Sequence, residues 1–255
     1  MERAPRPKRR PETKPIDEKH EEDRRRERGP NLGRADVRAR DVRIPLGPVT
    51  LDGDLALPSD PRGLVIFAHG SGSSRKSPRN RDVAATLQAD GLATLLFDLL
   101  TLDEESVDRH TAHLRFDIEF LAERLVAATV WGRRQASLRH LPIGYFGAST
   151  GAAAALVAAA EHPAGVAAVV SRGGRPDLAG PALRHVRAPT LLIVGGGDLP
   201  VIGLNERARA LMRADVELTI IPGATHLFEE PGALEEVARL ASDWFTRHLA
   251  RTAAA

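Results

Sequence analysis

The chain of 255 residues has no cysteine, one tyrosine, two tryptophans and seven phenylalanines. Without cysteine there can be no disulfide framework, thiolate metal site or thiol nucleophile, so any nucleophile must be Ser, Thr, Lys or a carboxylate. Long apolar runs are lacking as well. The longest candidate, Ala152 to Ala160, falls well short of the roughly 18 residues that cross a bilayer. A soluble, cytoplasmic protein with no membrane partner is expected.

Net charge is small, +2 at pH 7, and unevenly placed. Residues 1–35 carry 12 Lys and Arg against 8 Asp and Glu, which leaves 24 against 26 for residues 36–255. The body is therefore slightly acidic. The sequence pI of about 9.4 gives no warrant for a basic groove there, and no nucleic-acid partner is expected for the folded part. Residues 1–35 mix both charge signs with five prolines, and Ile16 and Leu32 are their only large aliphatic side chains. Such a segment cannot bury enough apolar surface to offset its ordering entropy, and it reads as a disordered charged tail. Its basic start is followed by no apolar core, so it is not read as a secretory signal.

From residue 36 onward, short β-branched apolar runs alternate with Ala/Leu/Arg/Glu segments of helical character. Val42 to Leu46 and Val49 to Leu57 flank Gly47-Pro48 and predict an antiparallel hairpin. Buried strands are expected near Leu64–Ala68, Ala93–Phe97, Ile143–Phe146, Val166–Val170, Leu191–Val194 and Glu217–Ile221. Helices are expected near Arg79–Asp90, Thr111–Val130, Thr150–Glu161, Asn205–Arg213 and Ala233–Leu249. This alternation predicts one α/β domain over residues 36–255, with a mostly parallel sheet covered on both faces.

Strand Ile143–Phe146 runs into Gly147-Ala148-Ser149-Thr150-Gly151 and then into an alanine-rich helix. A serine on a sharp strand-to-helix turn stands exposed above the carboxyl edge of the sheet, and small neighbours let other backbone pass close to it. The helix that follows directs its positive dipole end and free N–H groups at that point. A serine hydroxyl needs a base, and the base needs an orienting group. Of the nine histidines, His226 lies on a Gly-containing loop after strand Glu217–Ile221, at the same sheet edge. His140 and His185 precede strands and fall at the opposite edge; His110 and His113, at the start of a helix and ahead of Ser149 in the chain, are weaker candidates. Gly195-Gly196-Gly197-Asp198 follows Leu191–Val194 and supplies the acid, with Asp177 as the rival. Ser149, Asp198 and His226 stand in nucleophile–acid–histidine order, 49 and 28 residues apart. For the oxyanion, the loop His69-Gly70-Ser71-Gly72-Ser73 after Leu64–Ala68 suggests the N–H of Ser71, or alternatively Gly72, beside the N–H of Thr150. His69 itself is expected to shape this loop rather than act as a second base.

With HGSG after an early strand, GASTG at the turn, GGGD and GATHLF, residues 41 to 249 resemble an α/β-hydrolase of the dienelactone hydrolase-like group. The resemblance implies that fold, with no large cap, and hydrolysis of an ester, lactone or related acyl bond without a cofactor. Dienelactone hydrolases proper use a cysteine where this chain has Ser149. The stretch Ser171 to Asp177 also resembles hydrolase domains joined to phosphoribosyltransferases, although no second domain is expected here. An acyltransferase or thioesterase with the same triad is the alternative within enzymes, and a catalytically silent binding module the alternative outside them.

The expected partner is a small-molecule acyl substrate, and no metal is expected, since no ligand spacing such as HExxH occurs. Only 20 residues, Ser171 to Thr190, separate two strands at the position where related enzymes insert a helical cap, so an open or shallow pocket is predicted. Its walls would come from loops Ser71–Pro78, Leu99–His113, Ser171–Leu178 and Leu199–Leu204. Arg172 and Arg175 fall on one of these. Either could grip an anionic substrate group, or could pair internally with Asp177 or another carboxylate.

Overall fold

The turn at Gly47-Pro48 folds strand β1 (Val37–Leu46) back on β2 (Val49–Pro58) in antiparallel register, Ile44 opposite Leu51. This computed structural model describes residues 36–249. The expected tail over residues 1–35 lies outside them, as do residues 250–255. Strands β3 (Leu64–Ala68), β4 (Ala93–Phe97), β5 (Ile143–Ala148), β6 (Ala168–Arg172), β7 (Thr190–Gly195) and β8 (Val216–Ile221) complete one sheet in the order β1-β2-β4-β3-β5-β6-β7-β8. Pairing is antiparallel across β1, β2 and β4 and parallel from β4 through β8. Every residue of β3 to β7 is buried, as expected of parallel strands covered on both faces.

Among the described residues, six helices cover the sheet: α1 (Pro78–Ala89), α2 (Leu102–Thr111), α3 (Ile118–Arg134), α4 (Thr150–Glu161), α5 (Leu199–Leu211) and α6 (Ala233–His248). Two apolar cores result. On one face Ile66, Tyr145 and Val169 pack with Leu121 and Leu125 of α3, the alanines of α4 and Ala208 of α5. On the other, Phe67, Phe146 and Val170 pack with Val83 and Leu87 of α1 and with Val237, Trp244 and Phe245 of α6. Helix α4 is buried from Thr150 to Ala159, which explains its composition: alanine leaves room for neighbours on every side. No described helix is long and apolar enough to cross a membrane.

Strand β1 begins five residues before the expected Val42 and β5 runs two residues past Phe146, and three further differences bear on the site. The helix expected over Thr111–Val130 is two helices. Helix α2 opens on a capping box, in which Thr101 accepts from the Glu104 N–H and Glu104 accepts from the Thr101 N–H, and it ends at Ala112 with φ 53°. Helix α3 starts afresh at Asp117, whose side chain accepts from the Phe120 N–H. His110 and His113 thus lie at the end of α2 and just beyond it, not at a helix start. Strand β6 lies two residues later than expected, so Ser171 and Arg172 belong to the sheet rather than to the following loop. Helix α5 begins at Leu199, with a proline in its first turn, so Leu199–Leu204 is helix and not loop. Between β6 and β7 runs a 3-10 segment, Pro176–His185, kinked at Gly180.

Candidate active site

Ser149 is the first residue after β5 and the N-cap of α4, and it adopts φ 52°, ψ −121°. An N-cap serine ordinarily turns its hydroxyl onto the first free N–H groups of its helix. This one makes no such bond, so the hydroxyl is left free at the carboxyl edge of the sheet. The conformation is unfavourable for a residue with a Cβ by about 1–3 kcal/mol, and the surrounding packing must enforce it. Gly151 shows how tight that packing is: a Cβ there would stand 2.2 Å from Ala68 O and 2.5 Å from His69 O. The start of α4 therefore lies directly against the end of β3. Gly151→Ala is expected to destabilise the fold by about 3 kcal/mol, measured by denaturant titration, because only backbone can move out of the way. A loss under about 1 kcal/mol would mean the turn is more pliant than this packing implies.

Asp198 and His226 come from the loops after β7 and β8. These loops are laced together by Gly196 N–H to Ile221 O and Gly197 N–H to Ala224 O, both 2.8 Å. At Gly195 a Cβ would meet Ala224 O at 2.4 Å, so only glycine permits this approach. The result is a bond of 2.6 Å between His226 Nδ1 and Asp198 Oδ2, with the Asp198 side chain 14% exposed and the His226 side chain 40% exposed. Asp198 occupies the N-cap position of α5 yet makes no capping bond, since its carboxylate serves His226 instead. Asp177, the rival acid, is held by Arg175 in a two-point pair, Nε to Oδ1 at 2.9 Å and Nη2 to Oδ2 at 2.8 Å. Ser149 is linked to the His226 loop through the end of β6: its N–H donates to Arg172 O, and a Cβ on the next residue, Gly173, would stand 3.0 Å from His226 O. The Ser149 hydroxyl makes no hydrogen bond with His226 in this structure.

The loop after β3 passes the start of α4, where the Ser71 N–H donates to Thr150 Oγ1 at 2.9 Å. That link ties the two segments expected to supply oxyanion donors, but it also occupies Ser71 in the resting state. Gly72 follows with φ 69°. Buried His69 accepts the Leu99 N–H at Nε2, 3.0 Å, and its Nδ1 lies 3.0 Å from Gly70 O. The first bond requires a bare Nε2, so Nδ1 carries the proton and donates. Burial holds the His69 pKa below the ordinary imidazole value, consistent with a neutral ring that shapes the loop.

A cavity of about 260 Å³ opens beside this loop, lined by Ser71, Gly72, Leu99, Arg109, Leu121 and Thr150 among others. Besides Leu121 of α3 and Thr150 of α4, its walls come largely from the first two of the four segments expected to enclose the pocket, the second of which is mostly helix α2; the other two do not reach it. Asp108, also at its edge, is fixed by Arg115 Nε at 2.5 Å and the Leu114 N–H at 2.7 Å, so the end of α2 forms a rigid wall.

A parallel sheet carrying a left-handed serine between its fifth strand and the next helix, with an Asp–His pair at the same edge, is the architecture of the α/β-hydrolases. Residues 63–188 match the family described as alpha/beta hydrolase fold. Dienelactone hydrolase from Anabaena variabilis ATCC 29413 is 61% identical and superposes with a TM-score of 0.82, over 84% of this chain and 99% of that one. Est1E from Butyrivibrio proteoclasticus, at 16% identity, shares the fold with a TM-score of 0.70 over 83% of this chain and 99% of that one. Two Mycobacterium tuberculosis proteins, from strains CDC 1551 / Oshkosh and ATCC 25618 / H37Rv and each named "Putative phosphoribosyl transferase", are 60% identical over 213 residues. The match covers 84% of this chain and 47% of theirs, so the chain spans about half the length of these curated relatives. The chain belongs to the α/β-hydrolase family, in its dienelactone hydrolase-like group.

Proposed function

We propose that the protein is a serine hydrolase that cleaves a carboxylic ester, lactone or related acyl bond through Ser149, His226 and Asp198. The observation that carries this reading is the pair of helix N-cap residues whose side chains do not cap. Ser149 is held in a costly conformation that frees its hydroxyl, and Asp198 gives its carboxylate to His226. Neither arrangement serves stability, and both serve acyl transfer.

His226 Nε2 removes the Ser149 proton as Oγ attacks the carbonyl carbon, and Asp198 stabilises the imidazolium that forms. The oxyanion is met by the N–H of Thr150 and by that of Ser71 or Gly72. Ser71 must first release Thr150 Oγ1, which it does when the developing negative charge outcompetes a hydroxyl acceptor. His226 then protonates the leaving group and activates the water that clears the acyl-enzyme. Catalytic hydrogen bonds are commonly unformed before substrate binds, and the Ser149–His226 bond forms in the complex. The similar Anabaena protein, named a dienelactone hydrolase, supports acyl-bond hydrolysis. The transferase name belongs to proteins about twice as long and does not by itself bring a substrate to this chain.

A fluorophosphonate probe and a panel of short-chain aryl esters, lactones and acyl thioesters test the proposal. Covalent labelling at Ser149 with turnover of at least one class is expected. No labelling and no turnover would favour a silent binding module.

A further inference from the structure

The buried stripe of α5 is Val201, Asn205 and Ala208, at the i, i+4, i+7 spacing of a core-facing helix. Helical periodicity calls for an apolar residue at its centre, and the chain places an amide there, fully sealed from solvent. A local rule broken in this way points to a role other than packing. The Asn205 Nδ2 donates twice, to Val201 O of its own helix at 2.8 Å and to Gly174 O at 3.1 Å. Both acceptors are carbonyls, which fixes the amide: turned over, it would set Oδ1 against two carbonyl oxygens. Oδ1 is sealed and without a partner among the described residues. An unpaired buried acceptor is unfavourable for folding, so the side chain stands there at a cost to stability.

The place of Gly174 says what the second bond achieves. Residues Arg172-Gly173-Gly174-Arg175 form a strap across the site. Arg172 O accepts the Ser149 N–H at 3.3 Å, and the Arg175 N–H donates to Ser149 O at 3.1 Å. Between them the Gly173 N–H donates to Ile193 O of β7 at 2.8 Å, and a Cβ on Gly173 would stand 3.6 Å from His226 Cε1. Gly174 lies flat on the first turn of α4, where a Cβ would meet the Ala152 Cβ at 2.7 Å. The strap therefore grips the Ser149 turn at two points and presses on the His226 loop, and the Asn205 amide ties it to α5. Asn205 lies seven residues, about two turns, beyond Asp198, so both stand on one side of the helix. Asp198 makes no capping bond that would fix that end of α5. One amide thus joins the helix that carries the acid to the strap that holds the nucleophile.

We propose that Asn205 is a positioning residue for the triad: by holding the strap against α5 it sets the separation between Ser149 and the His226–Asp198 pair. This rests on the hydrolase reading of Ser149. The Ser149–His226 bond is unformed at rest and forms in the complex, so a strap that yields lets hydroxyl and ring drift apart, and a misplacement of about 1 Å costs on the order of 100-fold in rate. Two variants test the role. Asn205→Ala removes both bonds; Asn205→Ser keeps a hydroxyl that reaches Val201 O but is too short for Gly174 O. Both should lower kcat on an activated aryl ester by about 100-fold with KM within about threefold of wild type. Ser242→Ala deletes a buried hydrogen bond to Asp90 near the opposite edge of the sheet and should leave kcat within about threefold, which controls for destabilisation alone. Fluorophosphonate labelling in the Asp198→Asn background supplies a readout that support of the fold would not move. With the relay already broken, adding Asn205→Ala should slow labelling by less than about fivefold, whereas a residue that only supports folding gives the same factor in both backgrounds. A folded Asn205→Ala with kcat within about fivefold of wild type, or equal factors in the two backgrounds, overturns the proposal. So does a Ser242→Ala loss as large as that of Asn205→Ala, or failure of both Asn205 variants to fold. A wild-type protein with neither turnover nor labelling removes the hydrolase reading, and the positioning role with it; an active wild type beside active variants removes the positioning role alone.

Discussion

Ser149→Ala is expected to lower kcat on an activated aryl ester by about 10⁶-fold and to abolish fluorophosphonate labelling, with the protein still folded. The size follows from the triad acting as a unit. Without Oγ there is no atom for His226 to deprotonate, and Asp198 has no imidazolium to stabilise. Some acceleration over water should survive, about 10³–10⁴-fold, because the oxyanion donors and the pocket are untouched. Folding should be nearly indifferent. The hydroxyl caps nothing in α4, so its removal orphans no N–H group, and alanine keeps the Cβ that the φ 52° backbone already tolerates. Stopped-flow or steady-state ester assays beside a melting curve check both halves. A variant that retains a hundredth of wild-type kcat would assign the nucleophile elsewhere.

The sequence made the sheet, its hairpin and the elbow legible because each rests on a strong local signal. Apolar β-branched runs such as Leu64–Ala68 and Ala93–Phe97 are short and bounded by turn residues, and their observed limits agree with those expected. The limits of β6 were less legible. Gly165 to Val170 is a continuous small-apolar run with no period to mark its start, and the strand carries on through Ser171 and Arg172. Polar residues read as loop, yet both are buried in the sheet. Helix α2 has almost no apolar face, with Asp108 its one buried residue, so hydrophobic periodicity could not reveal it. Its Thr101–Glu104 capping box and the Asp117 cap of the next helix were the available signals. The Ser71–Thr150 bond could not have been foreseen either. It spans 79 residues, and only the close packing of α4 on β3 creates it.

Asp198→Asn is expected to lower kcat by on the order of 10⁴-fold while leaving KM and melting temperature close to wild type. The carboxylate has one ring to orient: it sits 2.6 Å from His226 Nδ1 and makes no capping bond to α5. An ionised carboxylate accepts only, so it fixes the proton on Nδ1 and leaves Nε2 bare to take the Ser149 proton. The asparagine amide fits the same space but can turn its NH₂ toward the ring. That stabilises the opposite tautomer, with the proton on Nε2, where it blocks the base. An imidazolium formed in the transition state then also lacks its counter-charge. Two measurements separate this account from a merely structural one. Fluorophosphonate labelling should slow in parallel with ester turnover, since both need a deprotonated Ser149. Asp177→Asn, at the acid that Arg175 holds, should change neither rate by more than a few-fold. If instead Asp177→Asn is the damaging change and Asp198→Asn is mild, the relay runs through the end of β6, and the pair seen between Asp198 and His226 serves only to join two loops.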